Sequence, residues 1–509
     1  MLLVRANFSH LAAAPLLRLR RVAMAMATAT ASHRIASHRI ASPPMPLDGW
    51  MHTARGRTPR PKTERGPLYR NDAVALSQSS QGAPKLVAAR DLSAGELAFT
   101  VPWRLTITLE RVLEDGTLAE LLTTNKLSEL SVLALYLCYE KMLGKSSFWS
   151  PVLRLIDARR AKGPDEVESP LLWSDEELAW LSGSPMQRII EERRAGIKQE
   201  YEELDTIWYM AGSLFDKYPY DLPTQQFSFK TFLGAFAAVQ SSVVHLQGVG
   251  TSRRFALCPL APPLARWDPR SRAMMRGKCA PGADDGVDSD AGDAPRRGPP
   301  PPPAMECAAP GVSYIVDREV KAGEPISVWC GPQPNSKLLL NYGIVDDLNP
   351  HDRLAICIQL NPDDPLFQAK RLAVQEELGL GSSSEFQLFR DASEPWSPTL
   401  LPFLRIAMSA DHGELSACYE NAAADEISEG NERRARAALA RYASSKLQAY
   451  PTTMLEDDDI AADESQPLKR RLVARLVRIE KATLSRVASL IDGCDEVELP
   501  EYTPRINAA

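Results

Sequence analysis

The stretch Trp329-Cys-Gly-Pro-Gln-Pro-Asn-Ser336, followed by Leu338-Leu-Leu-Asn-Tyr-Gly343, decides how this chain is read. A turn-compatible Cys330-Gly331-Pro332 opens it, and a leucine cluster and a Tyr-Gly pair close it. Position alone leaves two roles for Tyr342: a buried tyrosine closing a strand end, or a phenol presented for chemistry. Just upstream, Gly311-Val-Ser-Tyr-Ile-Val316 and Ile326-Ser-Val-Trp-Cys330 flank the turn Lys321-Ala-Gly-Glu324. Two short apolar runs around a Gly-containing turn predict a β-hairpin. The same text stands far toward the N-terminus, where Lys85-Leu-Val-Ala-Ala-Arg90 and Leu97-Ala-Phe-Thr-Val-Pro102 flank Asp91-Leu-Ser-Ala-Gly-Glu96. Both turns hold Ala-Gly-Glu. Nothing of that period lies between them, so the match is an echo of turn chemistry and not a solenoid repeat.

Between the two hairpins the text is helical. Leu127–Leu143 places Leu130, Leu133, Ala134, Leu137 and Cys138 on one face, and Gly144 is a stop. Ser174-Asp-Glu-Glu177 fits a capping box. Met186–Trp208 is long and charged, with Glu191, Glu192, Arg193, Arg194 and Lys198 assigned to a solvated face. Phe227–Val244 is a further helix, with Ser228 at its start. Residues 277–310 are rich in Gly, Ala and Asp and run into Pro299–Pro303, a composition that buries no core and predicts a disordered insertion. Beyond Pro362 helical spacing dominates: Leu366–Leu378, Leu400–Met408, Asn431–Ala449 and Pro467–Ile491. The last of these carries a stripe from Leu472 to Leu490, with Lys469, Arg470, Arg471, Arg475 and Arg478 on a solvated side.

The chain has 509 residues, room for two or three domains at roughly 100–200 residues each. With 59 Lys+Arg against 65 Asp+Glu the net charge is −6, which argues against nucleic acid as the default partner. No apolar run approaches the roughly 18 residues of a membrane span. The eight cysteines are scattered without a CxxC, so no metal site or disulfide framework is expected. Neither His-Glu-x-x-His nor Gly-x-Ser-x-Gly occurs. Residues 1–47 hold six arginines and no acid, the composition of an organelle transit peptide, with a plain disordered tail as the bland alternative.

The Asn-Ser then Leu-Leu-Asn-Tyr-Gly run resembles the C-terminal signature of SET-domain lysine methyltransferases. More narrowly, residues 66–495 are similar to the plastid Rubisco large-subunit methyltransferase-like family. The hairpin Leu86–Pro102, the stretch Ser150-Pro-Val-Leu153 to Trp173-Ser-Asp-Glu176, and Asn349-Pro-His-Asp-Arg353 agree with it. The resemblance implies an α+β fold with small SET-type sheets split by a helical insert, plus a separate all-α C-terminal substrate-binding domain. The expected boundaries are 1–64 for the transit peptide, 65–350 for the SET domain with its insert at about 115–225, and 360–497 for the helical domain.

The same resemblance implies S-adenosylmethionine as cofactor and a protein substrate with a target lysine. No zinc-bearing cysteine cluster follows the SET-like region, which favours a non-histone substrate. A chloroplast address is implied ahead of a mitochondrial one. It implies that Tyr342 is the catalytic tyrosine, that Leu86, Val87, Ala265, Arg266 and Asn341 fall at cofactor-binding positions, and that Ser241 and Ser242 lie at the substrate side. Several of these depart from the family pattern. Lys85 replaces a loop glycine, Ala265-Arg266 an Asn-His pair, Pro262 an acid, Ser241-Ser242 a Ser-Arg pair and Cys330 an aromatic residue. The alternative is therefore the same fold kept as a non-catalytic protein-binding module.

Overall fold

The two Ala-Gly-Glu turns do not close separate hairpins; they lock into one another. Leu92 and Val320 exchange both backbone hydrogen bonds, at 2.8 and 3.0 Å. On one side Gly95 N–H donates to the Val316 carbonyl (2.8 Å) and Val316 N–H to that of Glu96 (3.0 Å). On the other, Gly323 N–H donates to Ala88 (2.8 Å) and Ala88 N–H to Glu324 (2.9 Å). Each turn is built alike: the Glu96 and Glu324 carboxylates accept from the N–H groups of Ser93 and Lys321. Gly95 and Gly323 take φ of +83° and +85°, a region glycine enters without steric cost. Because each turn spends its own backbone on the other turn, the runs entering and leaving it part company into different sheets.

These features come from a computed structural model, which describes residues 73–79, 82–114, 127–157, 165–215, 227–278, 310–421, 427–491 and 499–508. The expected transit peptide lies outside the described residues, as does 279–309 of the expected insertion. The strands are β1 (Val74–Gln78), β2 (Pro84–Ala88), β3 (Leu97–Pro102), β4 (Ile107–Thr108), β5 (Val244–His245), β6 (Phe255–Leu257), β7 (Arg266–Asp268), β8 (Met275–Lys278), β9 (Gly311–Ile315), β10 (Ser327–Trp329), β11 (Leu354–Gln359), β12 (Ser383–Leu388) and β13 (Arg505–Ala508). They form small sheets ordered β1-β2, β3-β9-β8, β4-β6-β5, β10-β7 and β12-β11-β13. Thus β2 pairs with β1, and β3 with β9, where the Phe99 and Tyr314 rings stack at 5.0 Å. The parallel pair β7/β10 sets Trp267 beside Val328. Gly277 and Lys278, at the start of the expected insertion, belong to β8.

The helices follow their sequence signals. They include α1 (Glu129–Leu143), α2 (Met186–Phe215), α3 (Phe229–Ser242), α4 (Asn335–Tyr342), α5 (Phe367–Leu378), α6 (Leu400–Ala407), α7 (Glu429–Ala449) and α8 (Leu468–Ser489); further helices include His412–Asn421 and Met454–Ala462. Ser128 and Ser228 cap α1 and α3 through their hydroxyls, and Gly144 ends α1 at φ +55°. The capping box of Ser174 and Glu177 is present in both directions. Arg193 stays exposed as expected, whereas Arg194 differs. Arg194 turns inward and donates to the carbonyls of Leu171 (3.0 Å) and Trp173 (2.7 Å), and Arg193 lies over the Phe236 ring. Carbonyls at the end of a short helical turn need donors, and a guanidinium supplies several at once.

The C-terminal region is helical, with one addition: β12 and β13 flank β11 antiparallel at its base. Helix α8 buries Leu472, Val473, Leu476, Val477, Ile479, Leu484 and Val487, whereas Leu490, past the helix end, is 51% exposed. Two of its basic residues bridge to the first lobe and are not simply solvated. Lys469 Nζ sits 2.6 Å from Glu168 and 2.7 Å from Glu177; Arg475 pairs with Asp347 at 2.9 Å. Deeper, Lys481 contacts Asp457 at 2.5 Å with both side chains 3% exposed. Removing one partner of such a pair costs about 3–5 kcal/mol, because the other is left charged and dry.

Candidate active site

Tyr342 ends α4, a helix and not a strand end. Both ends of α4 are held from outside. At its start, Asn335 N–H donates to the Asp352 carboxylate (2.8 Å), while its side chain exchanges two hydrogen bonds of 3.0 Å with the backbone of Asp346. Asn349 ties the same loop down by donating to the Gln333 carbonyl at 2.8 Å. At its finish, Gly343 takes φ +72°, and a Cβ there would lie 1.8 Å from the Val167 carbonyl oxygen. Only glycine fits. The Gly343 carbonyl accepts from Val167 N–H (3.0 Å), and the Leu340 carbonyl accepts from the Ser169 hydroxyl (2.6 Å) and the Gln240 amide (3.3 Å). The helical insert therefore satisfies the carbonyls that α4 leaves open.

The Tyr342 ring lies against the Trp267 indole, centroids 4.5 Å apart and tilted by 35°. Trp267 is itself pinned, its Nε1–H donating to the Ser241 carbonyl at 2.8 Å. Burial pushes the Tyr342 hydroxyl well above the ordinary phenol range, with nearby Cys330 adding to the shift. Burial likewise raises the Cys330 thiol to about 12, so both groups stay protonated at neutral pH. Among the described residues no side chain or backbone group hydrogen-bonds the Tyr342 hydroxyl.

The expected cofactor positions form a connected wall with little polar chemistry. Leu86 N–H donates to the Leu264 carbonyl (2.9 Å), and its own carbonyl accepts from Ile326 (3.0 Å); its side chain is 1% exposed. Val87 pairs with Ala75 and bridges to Pro325, also buried. Lys85 faces Ser77 across the β1/β2 hairpin and is half-buried. Ala265 is buried next to Leu264, and Arg266 is exposed on β7, its N–H bonded to Ile326. The Ser241 hydroxyl turns back to the Ala238 carbonyl of its own helix (3.2 Å), so that residue meets the patch through its backbone; Ser242 is buried.

Arg266, Ser241 and Tyr342 are thus brought together around Trp267, with Leu86 and Ala265 joined to them only along the backbone through Leu264 and Ile326. Asn341 is not; it faces the opposite flank of α4. There it lines a cavity of about 540 Å³ between the lobes with Lys337, Arg193, Asp352, Glu385 and Glu480. Glu480 accepts from Ser184 and Tyr450, and burial raises its carboxyl to about 7. Trp267, Val167, Ser169 and Gln240 were not singled out from the sequence. Only Trp267 left a trace there, as an aromatic residue directly after the departing pair Ala265-Arg266. Among the described residues no cluster of His, Cys, Asp or Glu is placed to hold a metal, and no helix is long and apolar enough to cross a membrane.

Residues 361–484 match the family described as Rubisco LSMT substrate-binding. The chain is similar to the actin-histidine N-methyltransferases of Callithrix jacchus (24% identical over 418 residues) and Homo sapiens (23% over 418 residues), covering 79% of this chain and 62% of each relative. The chain thus spans less than two thirds of those relatives' length. Among solved structures, the SET domain of LSMT bound to lysine and AdoHcy aligns with a TM-score of 0.65 at 19% identity, over 89% of this chain and 92% of that one. Rubisco LSMT bound to AdoMet aligns at 0.61 and 19%, over 84% and 90%. The fold is that of the LSMT SET proteins: small sheets, a helical insert, and a C-terminal helical Rubisco LSMT substrate-binding region.

Proposed function

We propose that this chain is an S-adenosylmethionine-dependent protein-lysine N-methyltransferase acting on a non-histone protein of the plastid. What carries the proposal is Tyr342: a partly buried, protonated phenol with no hydrogen-bond partner among the described residues, on a helix braced at both ends. Among the described residues nothing takes up this hydroxyl, so it is available to a bound ligand. When bound, the cofactor supplies an electrophilic methyl group on a sulfonium. Its methyl end suits the uncharged phenol oxygen, and the exposed Arg266 suits a carboxylate. Leu86, Val87 and Ala265 offer it apolar walls only.

A lysine acceptor arrives as an ammonium with a pKa of about 10.4 and must first lose its proton to water. Apolar walls and a nearby positive charge both favour that loss. The Tyr342 oxygen then accepts an N–H of the neutral amine and aims its lone pair, so the rate gain comes mainly from alignment. The name carried by the curated relatives raises histidine as the acceptor, whereas the LSMT structures hold lysine and methyllysine. Lysine is favoured because Trp267 has spent its N–H on Ser241 and the Cys330 thiol donates to the Gly331 carbonyl. An imidazole needs a second polar contact to fix its plane; an alkyl amine does not.

A second possibility, a non-catalytic SET-fold module that grips a plastid protein, is favoured by the buried Leu86, Val87 and Ala265. Calorimetry with S-adenosylmethionine, joined to tritium transfer into a stromal protein fraction and mass spectrometry of the labelled residue, separates these outcomes. Label on lysine, strongly reduced but measurable in Tyr342→Phe with binding heat retained, is expected. Neither heat nor label would leave the binding module, and label on histidine would reassign the acceptor. A fluorescent fusion to residues 1–64 that lights up mitochondria would refute the plastid address.

A further inference from the structure

We infer that Trp267 is a positioning residue for methyl transfer: it holds the Tyr342 ring in place and acts through it. The inference rests on the methyltransferase function proposed above. Four separate elements converge on this one indole. Strand β7 carries it, and β10 fixes its height through the parallel register Val328–Trp267. The last turn of α3 fixes its rotation, because the indole N–H donates to the Ser241 carbonyl at 2.8 Å. The C-terminal end of α4 then lays Tyr342 against it at 4.5 Å. Just past it, the Asp268 carboxylate accepts from Arg270 N–H at 2.8 Å and approaches Arg318, which stops β7 from sliding.

Tyr342 has no comparable anchor of its own. Its backbone is fixed by α4, but the phenol still has two free torsions, and no hydrogen bond among the described residues holds its hydroxyl. Trp267 is also the one aromatic ring in contact with it among the described residues. A tilted ring contact restricts those torsions without consuming the hydroxyl. Packing keeps the oxygen both aimed and available, whereas a hydrogen bond from a protein donor would aim it and occupy it. Methyl transfer in line tolerates little misplacement, of the order of 1 Å for a loss of about 100-fold.

The test uses the full chain carrying 3-fluorotyrosine, with the Tyr342 fluorine resonance assigned by its absence in Tyr342→Phe. Trp267→Ala and Trp267→Phe are compared with the wild type for this resonance, for the KM of S-adenosylmethionine, and for the saturated rate of transfer into a stromal protein fraction. Trp267→Ala is expected to move and broaden the resonance and to lower the saturated rate by about 100-fold, leaving the cofactor KM within about twofold. Trp267→Phe keeps a ring but loses the bond to Ser241, so it should recover most of the rate. In the Tyr342→Phe background Trp267→Ala should add little, because both changes act through the same hydroxyl. A full saturated rate in Trp267→Ala, or fully additive losses in the double variant, overturns the inference while leaving the enzyme proposal intact. An inactive wild type overturns both, even where the fluorine shift confirms the ring contact.

Discussion

Helix α4 and the strand wall around Leu86 and Ala265 lie side by side, yet they differ in what their residues are for. In α4, Asn335 and Gly343 have visible mechanical duties: one folds the following loop back, the other lets the insert approach. A scaffold with no chemistry would need both. The Tyr342 hydroxyl has no such duty among the described residues, and it is the atom the proposed methyl transfer uses. In the strand wall the order is reversed: Leu86, Val87 and Ala265 have duties in the core and no chemistry on display. A motif can therefore be well preserved for mechanical reasons, and one unspent polar atom weighs more toward function than its intact flanks.

The sharpest break in that comparison would be a tolerant Gly343. Alanine there meets a backbone carbonyl and must hold positive φ, so Gly343→Ala should destabilise by about 4 kcal/mol or abolish soluble expression, read by urea unfolding. Leu86→Ala should cost about 3 kcal/mol, as a buried leucine does; if it instead leaves stability alone and weakens cofactor binding, the wall is a site and not core. Glu480, on the other flank of α4, gives a pH signature. Its folded pKa of about 7 lies above the usual value of 4.5. Protonation therefore favours the fold, and stability contributed by this group is lost as pH rises from about 4.5 to 7. The loss is at most about 3 kcal/mol and should vanish in Glu480→Gln. Smallest of all on stability is Tyr342→Phe, expected within about 1 kcal/mol of wild type because no hydrogen bond is broken. A larger destabilisation would mean that the hydroxyl has a structural partner after all.

Local signals carried most of the helical text. Ser128, Gly144, Ser174 and Ser228 act within a few residues of themselves, so α1, α3 and the capping box stand where the sequence puts them. Pairing between strands is a long-range matter. Lys85–Arg90 and Leu97–Pro102 look like partners because they are neighbours, but their true partners lie past the insert or before the loop at Gly82. At the candidate site, Tyr342 was legible from its flanks. Trp267 was not, since nothing in a lone tryptophan announces which ring it will meet. Arg193, Arg194, Lys469 and Arg475 look like solvent-facing charges on a helical wheel, and only the neighbouring lobe or turn gives them partners.

The interlocked Ala-Gly-Glu turns bear on how the chain is made. One half of the clasp emerges early in synthesis and the other only after the whole helical insert, so the first turn must wait for its mate. Such distant pairing slows folding and leaves the waiting edge in need of protection. The same arrangement strings the insert between two halves of a buckle, so the fastening closes only once the insert has been made.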